Sequence, residues 1–247
     1  YELKYIISCA QAAAIAEFIK PYLELDHYSR LQPGGYYPIV SLYLDSDDLR
    51  LCRESLRGHL KRFKLRVRSY SDDPSYPRFF EIKRRSNTVI MKNRARVRTE
   101  DVPRLLAGRY VPPLQNYPAD IETIRQFQLY MHSINAKPKI MIRYLRRAYE
   151  GNMENRMRVT FDRRLCYKIT GEPEVLFGGG GWQPHEITVQ RVILEIKFTG
   201  RYPAWLSRMA GVLDLRQRSV SKYATSLKKA CELRFCAPRI PVEVGLL

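Results

Sequence analysis

Hydrophobic and polar positions alternate with a period of two over long parts of this chain. Between residues 63 and 68, Lys64, Arg66 and Arg68 alternate with Leu65 and Val67. A strand turns residues i and i+2 to the same face, so the charges share one face and the apolar side chains the other. The pattern returns at 80–83, where Glu81 and Lys83 oppose Phe80 and Ile82, and at 92–98, where Lys92, Arg94, Arg96 and Arg98 fall together. Glu2 and Lys4 alternate with Leu3 and Tyr5, and Tyr144 and Arg146 share a parity. Arg156, Arg158, Thr160 and Asp162 alternate with Met157, Val159 and Phe161, and Glu195 and Lys197 flank Ile196. Two architectures fit six or more strands of this kind. One is a solvated sheet face over an ordinary core. The other is a closed barrel whose interior is the charged face and whose apolar outside is covered by helices. The repetition of Arg and Lys favours the barrel, and a cationic interior calls for a polyanion, because unpaired buried charge is costly.

Helical spacing fills the intervals. Ser8 followed by Gln11 is a capping-box spacing that opens an Ala-rich helix running to about Leu25. Pro33-Gly34-Gly35 makes a turn, and Ile39 to Leu44 a strand. Asp45-Ser46-Asp47-Asp48 opens a short helix closed near Gly58. Asp72-Asp73-Pro74 turns the first charged strand into the second, and Thr99 caps a helix to about Ala107. After a Pro-rich stretch at 110–118, Ile121, Ile124, Gln128 and Met131 mark a helix near 120–135. Strands are expected at 139–149, 156–162, 164–170 and 188–198, and helices at 203–213 and 219–233. No linker divides the chain, so residues 1–247 read as a single domain of α+β class.

Composition narrows the partner. The formal net charge of +18 points to an anionic one: nucleic acid, acidic lipid or phosphate compounds. The spacing of Cys9, Cys52, Cys166, Cys231 and Cys236 fits neither a zinc site nor a disulfide framework, so a reducing compartment is expected. No apolar run reaches the length of a membrane span, and no signal peptide is visible.

Few motifs carry chemistry by themselves. Gly178 to Gly181 lacks the Gly-Lys-Ser/Thr ending of a phosphate loop and reads as a hairpin tip. His27, His59, His132 and His185 show no metal-ligand spacing. Glu195, between Leu194 and Ile196, is either a structural ion-pair partner or a ligand for Mg²⁺ or Mn²⁺, hard cations that take carboxylate and phosphate oxygens. Glu81 has a similar setting. The arginines bring a guanidinium fork that fits phosphate oxygens in bidentate fashion.

Taken in order, Ser41-Leu42-Tyr43-Leu44-Asp45, Phe63 to Arg68, Phe80-Glu81-Ile82-Lys83, Ile193 to Lys197 and Ser221-Lys222-Tyr223 resemble the vacuolar transporter chaperone (VTC) polyphosphate polymerase domain. That domain belongs to the CYTH-like, or triphosphate tunnel metalloenzyme, superfamily. The resemblance covers nearly the whole chain. It implies a closed antiparallel eight-stranded β-barrel tunnel with flanking helices. Carried over by motif, Lys4, Arg66, Arg68, Lys83, Lys92, Arg146, Arg158 and Lys222 would bind phosphate, with hydroxyl contacts from Tyr144 and Ser221. Glu195 would hold Mn²⁺ or Mg²⁺. Many superfamily members start with Glu-x-Glu-x-Lys. Here Glu2-Leu3-Lys4 stands, which suits the polymerase branch better than thiamine triphosphatases or class IV cyclases.

The activity so implied is transfer of the γ-phosphate of ATP to a growing polyphosphate chain. Arg66, Arg68, Lys83, Arg146, Arg158 and Glu195 would form the catalytic set. Hydrolysis of tripolyphosphate or a nucleoside triphosphate is the rival chemistry, with Glu2 or Glu81 as a second carboxylate. A polyphosphate-binding module without turnover is the non-enzymatic rival. Nucleic acid is not expected as a partner, because the basic residues alternate within strands instead of lining an exposed, aromatic-interleaved surface. The expected location is cytoplasmic, with peripheral attachment to a membrane and a membrane-protein partner left open.

Overall fold

The strongest alternations become strands at their expected places. A computed structural model of the chain describes residues 1–233 apart from 88, 113, 116 and 152–155. The strands are β1 (Glu2–Ser8), β2 (Glu24–Leu25), β3 (Tyr37–Asp45), β4 (Lys61–Ser69), β5 (Arg78–Ser86), β6 (Val89–Val97), β7 (Lys137–Glu150), β8 (Arg158–Ile169), β9 (Gln183–Pro184) and β10 (Arg191–Lys197). The α-helices are α1 (Cys9–Ile19), α2 (His27–Arg30), α3 (Arg50–Leu56), α4 (Val102–Leu106), α5 (Pro118–Ser133), α6 (Ala204–Val212) and α7 (Lys222–Glu232).

Local chemistry explains where expectation and structure differ. The capping box of Ser8 and Gln11 forms as expected, but α1 stops at Ile19, short of Leu25. Pro21 follows at once and has no N–H to donate into a further turn. The two strands expected at 156–162 and 164–170 are one, β8. It carries Arg164 in the left-handed region at φ +53°, and this mid-strand break divides the sequence pattern. On α5, Ile124, Phe127 and Met131 are buried, whereas Ile121 is 44% exposed. Thr99 starts a 3-10 turn before α4, not a continuous helix.

The hydrogen-bonded strand order is β1-β10-β8-β7-β3-β4-β5-β6, with β2 paired to β7 and β9 to β8. The fold is α+β with a large sheet, and its β1–β10, β10–β8, β3–β4, β4–β5 and β5–β6 pairs are antiparallel. The sheet is not closed by hydrogen bonds, so the expected closed barrel is corrected to an open strand path. The end strand β1 uses its outer edge on the chain near 217. Tyr5 bridges to Gln217, and Arg218 N donates to Lys4 O at 2.8 Å.

Backbone contacts divide the described chain into two compact units. The first comprises Tyr1–Ile39, Arg143–Cys166 and Pro184–Val220. The second comprises Val40–Ile142, Tyr167–Gln183 and the described residues from Ser221 on. The first unit has its own core, in which Tyr5 and Ile7 of β1, Val192, Leu194 and Ile196 of β10, and Val159 and Phe161 of β8 pack with Ile15 and Ile19 of α1 and Leu206 and Met209 of α6. The second unit's core joins Leu42 and Leu44, Leu65 and Val67, Phe80 and Ile82, and Ala95 and Val97 to Ile124, Phe127 and Met131 of α5. Phe80 and Phe127 meet edge to face at 4.9 Å. Burying the apolar face of β4–β6 under α5 leaves the charged face on the other side.

Cys9, Cys52 and Cys166 are free thiols. Cys231 is disulfide-bonded, against the expectation of no disulfide framework, and Cys236 lies outside the described residues. Among the described residues no helix is long and apolar enough to cross a membrane.

Candidate functional site

In the second unit, strand register arranges the charged face in rows across β4, β5 and β6. Lys64 pairs with Lys83 and Lys83 with Lys92; Arg66 pairs with Glu81 and Glu81 with Arg94. The center of the face is Glu81, fully buried. Arg66 Nε donates to Glu81 Oε2 at 2.6 Å, and Arg94 Nε to Oε1 at 2.7 Å. Lys92 Nζ lies 2.8 Å from Oε1, and Arg68 Nη1 3.9 Å from Oε2. Burial alone would raise the pKa of Glu81, but Arg66, Arg68, Lys92 and Arg94 outweigh it and hold it far below the carboxylate range. Lys92 is pulled down to about 7, by burial first and then by Arg66 and Arg94, against the pull of Glu81.

Strand β3 supports the clamp from its other side. Ser41 lies opposite Arg68 and accepts from its Nε at 3.1 Å, and Tyr43 lies opposite Arg66 and accepts from its Nη1 at 3.1 Å. Burial works to raise the Tyr43 phenol, but Arg66 and Arg68, with Lys222, outweigh it and lower its pKa. The Tyr43 ring stacks on Tyr223 of α7 at 4.9 Å and 16°. The Tyr223 hydroxyl donates to Asp45, which also accepts from the backbone N–H groups of Ser46, Leu51 and Cys52. Asp45 therefore caps the start of α3 and ties α7 to the clamp. Ser221, expected to touch phosphate, is the N-cap of α7 and accepts from Lys64 Nζ at 2.8 Å. Lys222 opens that helix.

In the first unit, Lys4 faces Glu195 across the β1–β10 pair. Its Nζ lies 2.8 Å from Glu2 Oε1 and 3.4 Å from Glu195 Oε2, while Lys197 reaches Glu195 Oε1 at 3.0 Å. Burial opposes the Lys4 charge, yet Glu195 and Glu2 outweigh it and raise its pKa. Arg146 grips Asp162 in a bidentate pair, 2.7 Å from both Nε and Nη2, with its guanidinium 5.4 Å from the Tyr144 ring centroid. Arg158 pairs with Asp26 at 2.6 Å and Glu150 at 3.0 Å.

The expected residues thus fall into two sets. Arg66, Arg68, Lys83, Lys92, Ser221 and Lys222 are in the second unit; Lys4, Tyr144, Arg146, Arg158 and Glu195 are in the first. Sequence reasoning set Asp162 on the charged face without pairing it to Arg146, and it gave no role to Asp26. Asp162 and Asp26 neutralise Arg146 and Arg158, so the demand for an external polyanion is smaller than the cation count suggests. It also left out Arg94, whose parity with Lys92 was the available signal, and Tyr43 and Tyr223, whose role comes only from packing.

Among the described residues no group of three or more His, Cys, Asp and Glu side chains could hold a metal ion. Glu195 and Glu2, joined through Lys4, fit a smaller demand. Mg²⁺ is commonly held by one or two carboxylates, with waters and substrate phosphates completing its shell.

A sequence model of the VTC domain matches residues 1–231. The chain belongs to the VTC domain family. The VTC domain is the polyphosphate polymerase domain of the CYTH-like tunnel fold, and enzymes of that fold depend in general on divalent metals. The family implies polyphosphate and nucleotide substrates. No curated protein matches the chain. A solved structure, that of the PH1819 protein from Pyrococcus horikoshii OT3, is similar to this VTC domain with 11% identity and a TM-score of 0.45. The match covers 94% of this chain and 99% of that chain.

Proposed function

We propose that this VTC domain is a metal-dependent polyphosphate polymerase that transfers the γ-phosphoryl group of ATP to the end of a polyphosphate chain. One family match running through both units, over residues 1–231, supports reading them as a single VTC-type domain. The observation that carries the chemical reading is the convergence of Arg66, Arg68, Lys92 and Arg94 on Glu81. Such a cluster is ready to exchange one carboxylate for phosphate oxygens.

In this reading Arg66, Arg68, Lys83, Lys92 and Lys222 hold phosphates in the second unit, and Lys4, Arg146 and Arg158 do so in the first. Tyr144 and Ser221 add hydroxyl contacts to phosphate in this reading, beside the ring that Tyr144 sets near Arg146 and the acceptor that Ser221 offers Lys64. Phosphoryl transfer asks the protein mainly for positioning and charge neutralisation. The acceptor is a terminal phosphate oxygen, ionised at neutral pH, so no strong general base is required. Glu195, with Glu2 beside it, would hold Mn²⁺ or Mg²⁺. When bound, that cation would draw off charge developing on the phosphoryl oxygens.

The test is incubation with ATP and Mn²⁺, following ADP, orthophosphate and acid-labile polymer. Polymer formed alongside ADP supports the polymerase. The pairing of Glu2 and Glu195 about Lys4 favours a second reading, hydrolysis of tripolyphosphate or a nucleoside triphosphate, because a second carboxylate can activate water. Orthophosphate equal to ADP, with no polymer at any stage, would select it. Phosphate binding without turnover would select a polyphosphate-binding module.

A further inference from the structure

The basic face of the second unit continues past the residues already assigned to phosphate. Counting outward along β4 from Arg66, the next residues on the same face are Lys64 and Arg62. Arg62 lies directly opposite Arg85 of β5. Like charges placed opposite each other across a ladder are destabilising. Here the register imposes such a pair beyond a row that already sets Lys64, Lys83 and Lys92 side by side. Arg62 and Arg85 have no carboxylate within ion-pair distance among the described residues. Each instead donates to a backbone carbonyl, Arg62 to His59 and Arg85 to Asn87. Burial, followed by the Arg85 charge, outweighs the pull of Glu54 and holds the Arg62 pKa below its usual value. Both side chains are half-buried, and their neighbour in the row, Ile90, is 42% exposed, so the row is open to solvent.

We propose that Arg62 and Arg85 form a further anion subsite, holding the part of a polyphosphate chain that extends beyond the Arg66–Glu81–Arg94 row. The four-residue offset along β4 sets the two rows about 14 Å apart at roughly 3.4 Å per residue. The Lys64–Lys83–Lys92 row lies between them and makes the track continuous. A triphosphate seated at Glu81 ends before the outer row, and a long chain reaches it. The subsite therefore distinguishes polymer from nucleotide and keeps a grown chain on the protein. This inference rests on the polyphosphate reading of the clamp.

The experiment compares affinities for tripolyphosphate and for long-chain sodium polyphosphate in wild type, in Arg62→Ala with Arg85→Ala, and in Arg62→Lys with Arg85→Lys. Exposed charge contacts are worth less than 1 kcal/mol each, so the alanine pair is expected to weaken long-chain binding by about three- to tenfold. Its affinity for tripolyphosphate should match wild type, and the lysine pair should recover most of the loss. The salt dependence of long-chain binding should become shallower in the alanine pair. Long-chain affinity equal to wild type in the alanine pair, with tripolyphosphate still bound, would overturn the subsite and leave the clamp reading standing. An equal loss for both ligands would overturn the chain-length role. Wild-type protein that binds neither ligand would remove the polyphosphate reading itself, and the subsite with it.

Discussion

Replacing Glu81 with glutamine keeps the side chain's size and removes the charge that Arg66, Arg68, Lys92 and Arg94 share. Arg66, Arg68, Arg94 and a partly protonated Lys92 share this one carboxylate, and the substitution leaves their repulsion uncompensated. Breaking a buried ion pair by removing one partner costs about 3–5 kcal/mol. Lys92 and Arg94 keep 40% and 37% of their side-chain surface exposed, and water relieves part of the repulsion there. The lower end, about 3 kcal/mol, is therefore expected, which for a domain of this size is roughly 6–12 °C in melting temperature. An anion reverses the sign of the effect. Glu81 competes with phosphate for the guanidinium groups, so the variant should bind tripolyphosphate more tightly than wild type. A ligand at a hundred times its Kd stabilises by about 2.7 kcal/mol, and a tighter complex at the same concentration gains more. Thermal melts with and without tripolyphosphate check both halves. Loss of apo stability with a larger ligand-induced rise is the expected pair of results. An unchanged apo melting temperature, or a smaller rise with ligand, would refute the claim that one carboxylate stands in for phosphate at this clamp.

Arg66→Ala should weaken tripolyphosphate binding about ten- to a hundredfold, the worth of one charge-assisted contact, and Arg66→Lys should restore only part, because the bidentate fork is lost. Glu195→Gln, like chelation of the wild type with EDTA, should abolish Mn²⁺-dependent turnover while tripolyphosphate binding by titration is largely kept; undiminished turnover would remove Glu195 from the metal site. Lys92 titrates near 7 in the free protein, and an incoming phosphate favours its charged form, so binding should take up protons and strengthen as pH falls through about 7. Calorimetry in buffers of different ionisation enthalpy reads that proton uptake, and Lys92→Gln should lose it. Phe127→Ala should cost about 3–5 kcal/mol in denaturant unfolding, since it opens a cavity under Phe80 in the second unit's core.

The charged strands were legible because period-two alternation is a local signal. Lys64, Arg66, Arg68, Glu81, Lys83, Lys92 and Arg94 reach one face by parity alone, and the register only assembles them into rows. Closure was not legible. It depends on which partner takes the outer edge of β1, and the stretch around Gln217 that does so carries no strand-like alternation. Asp26 and Glu150 were missed because they lie on other elements than Arg158, and a charge pattern along one strand cannot show them; Asp162 stood in the pattern of β8, but its partner Arg146 is on β7. Ser221 was expected as a ligand only through the family resemblance, by its place in the Ser221-Lys222-Tyr223 motif. In the ligand-free protein its Oγ accepts from Ala224 N and from Lys64 Nζ, bonds that follow from its place at the start of α7. Of the two sequence readings of Glu195, the ion-pair partner is seen, with Lys4 and Lys197, and Lys4 is shared with Glu2.

The tie from Asp45 through Tyr223 to Tyr43 and Arg66 has a consequence for biogenesis. The strands that carry the clamp are synthesised early, and Tyr223, near the far end of the described chain, arrives long after them. During synthesis the β4–β6 hairpins can pair and present their basic face before α7 docks on α3 and stacks Tyr223 against Tyr43. The emerging chain thus passes through a stage in which Arg66 is held by Glu81 but its tyrosine support is unfinished. Contacts of such sequence separation form late, because loop closure must come first. Competence at the clamp is in this way withheld until α7 has been synthesised, and a chain cut before Ser221 would carry the charges without the brace that orients them.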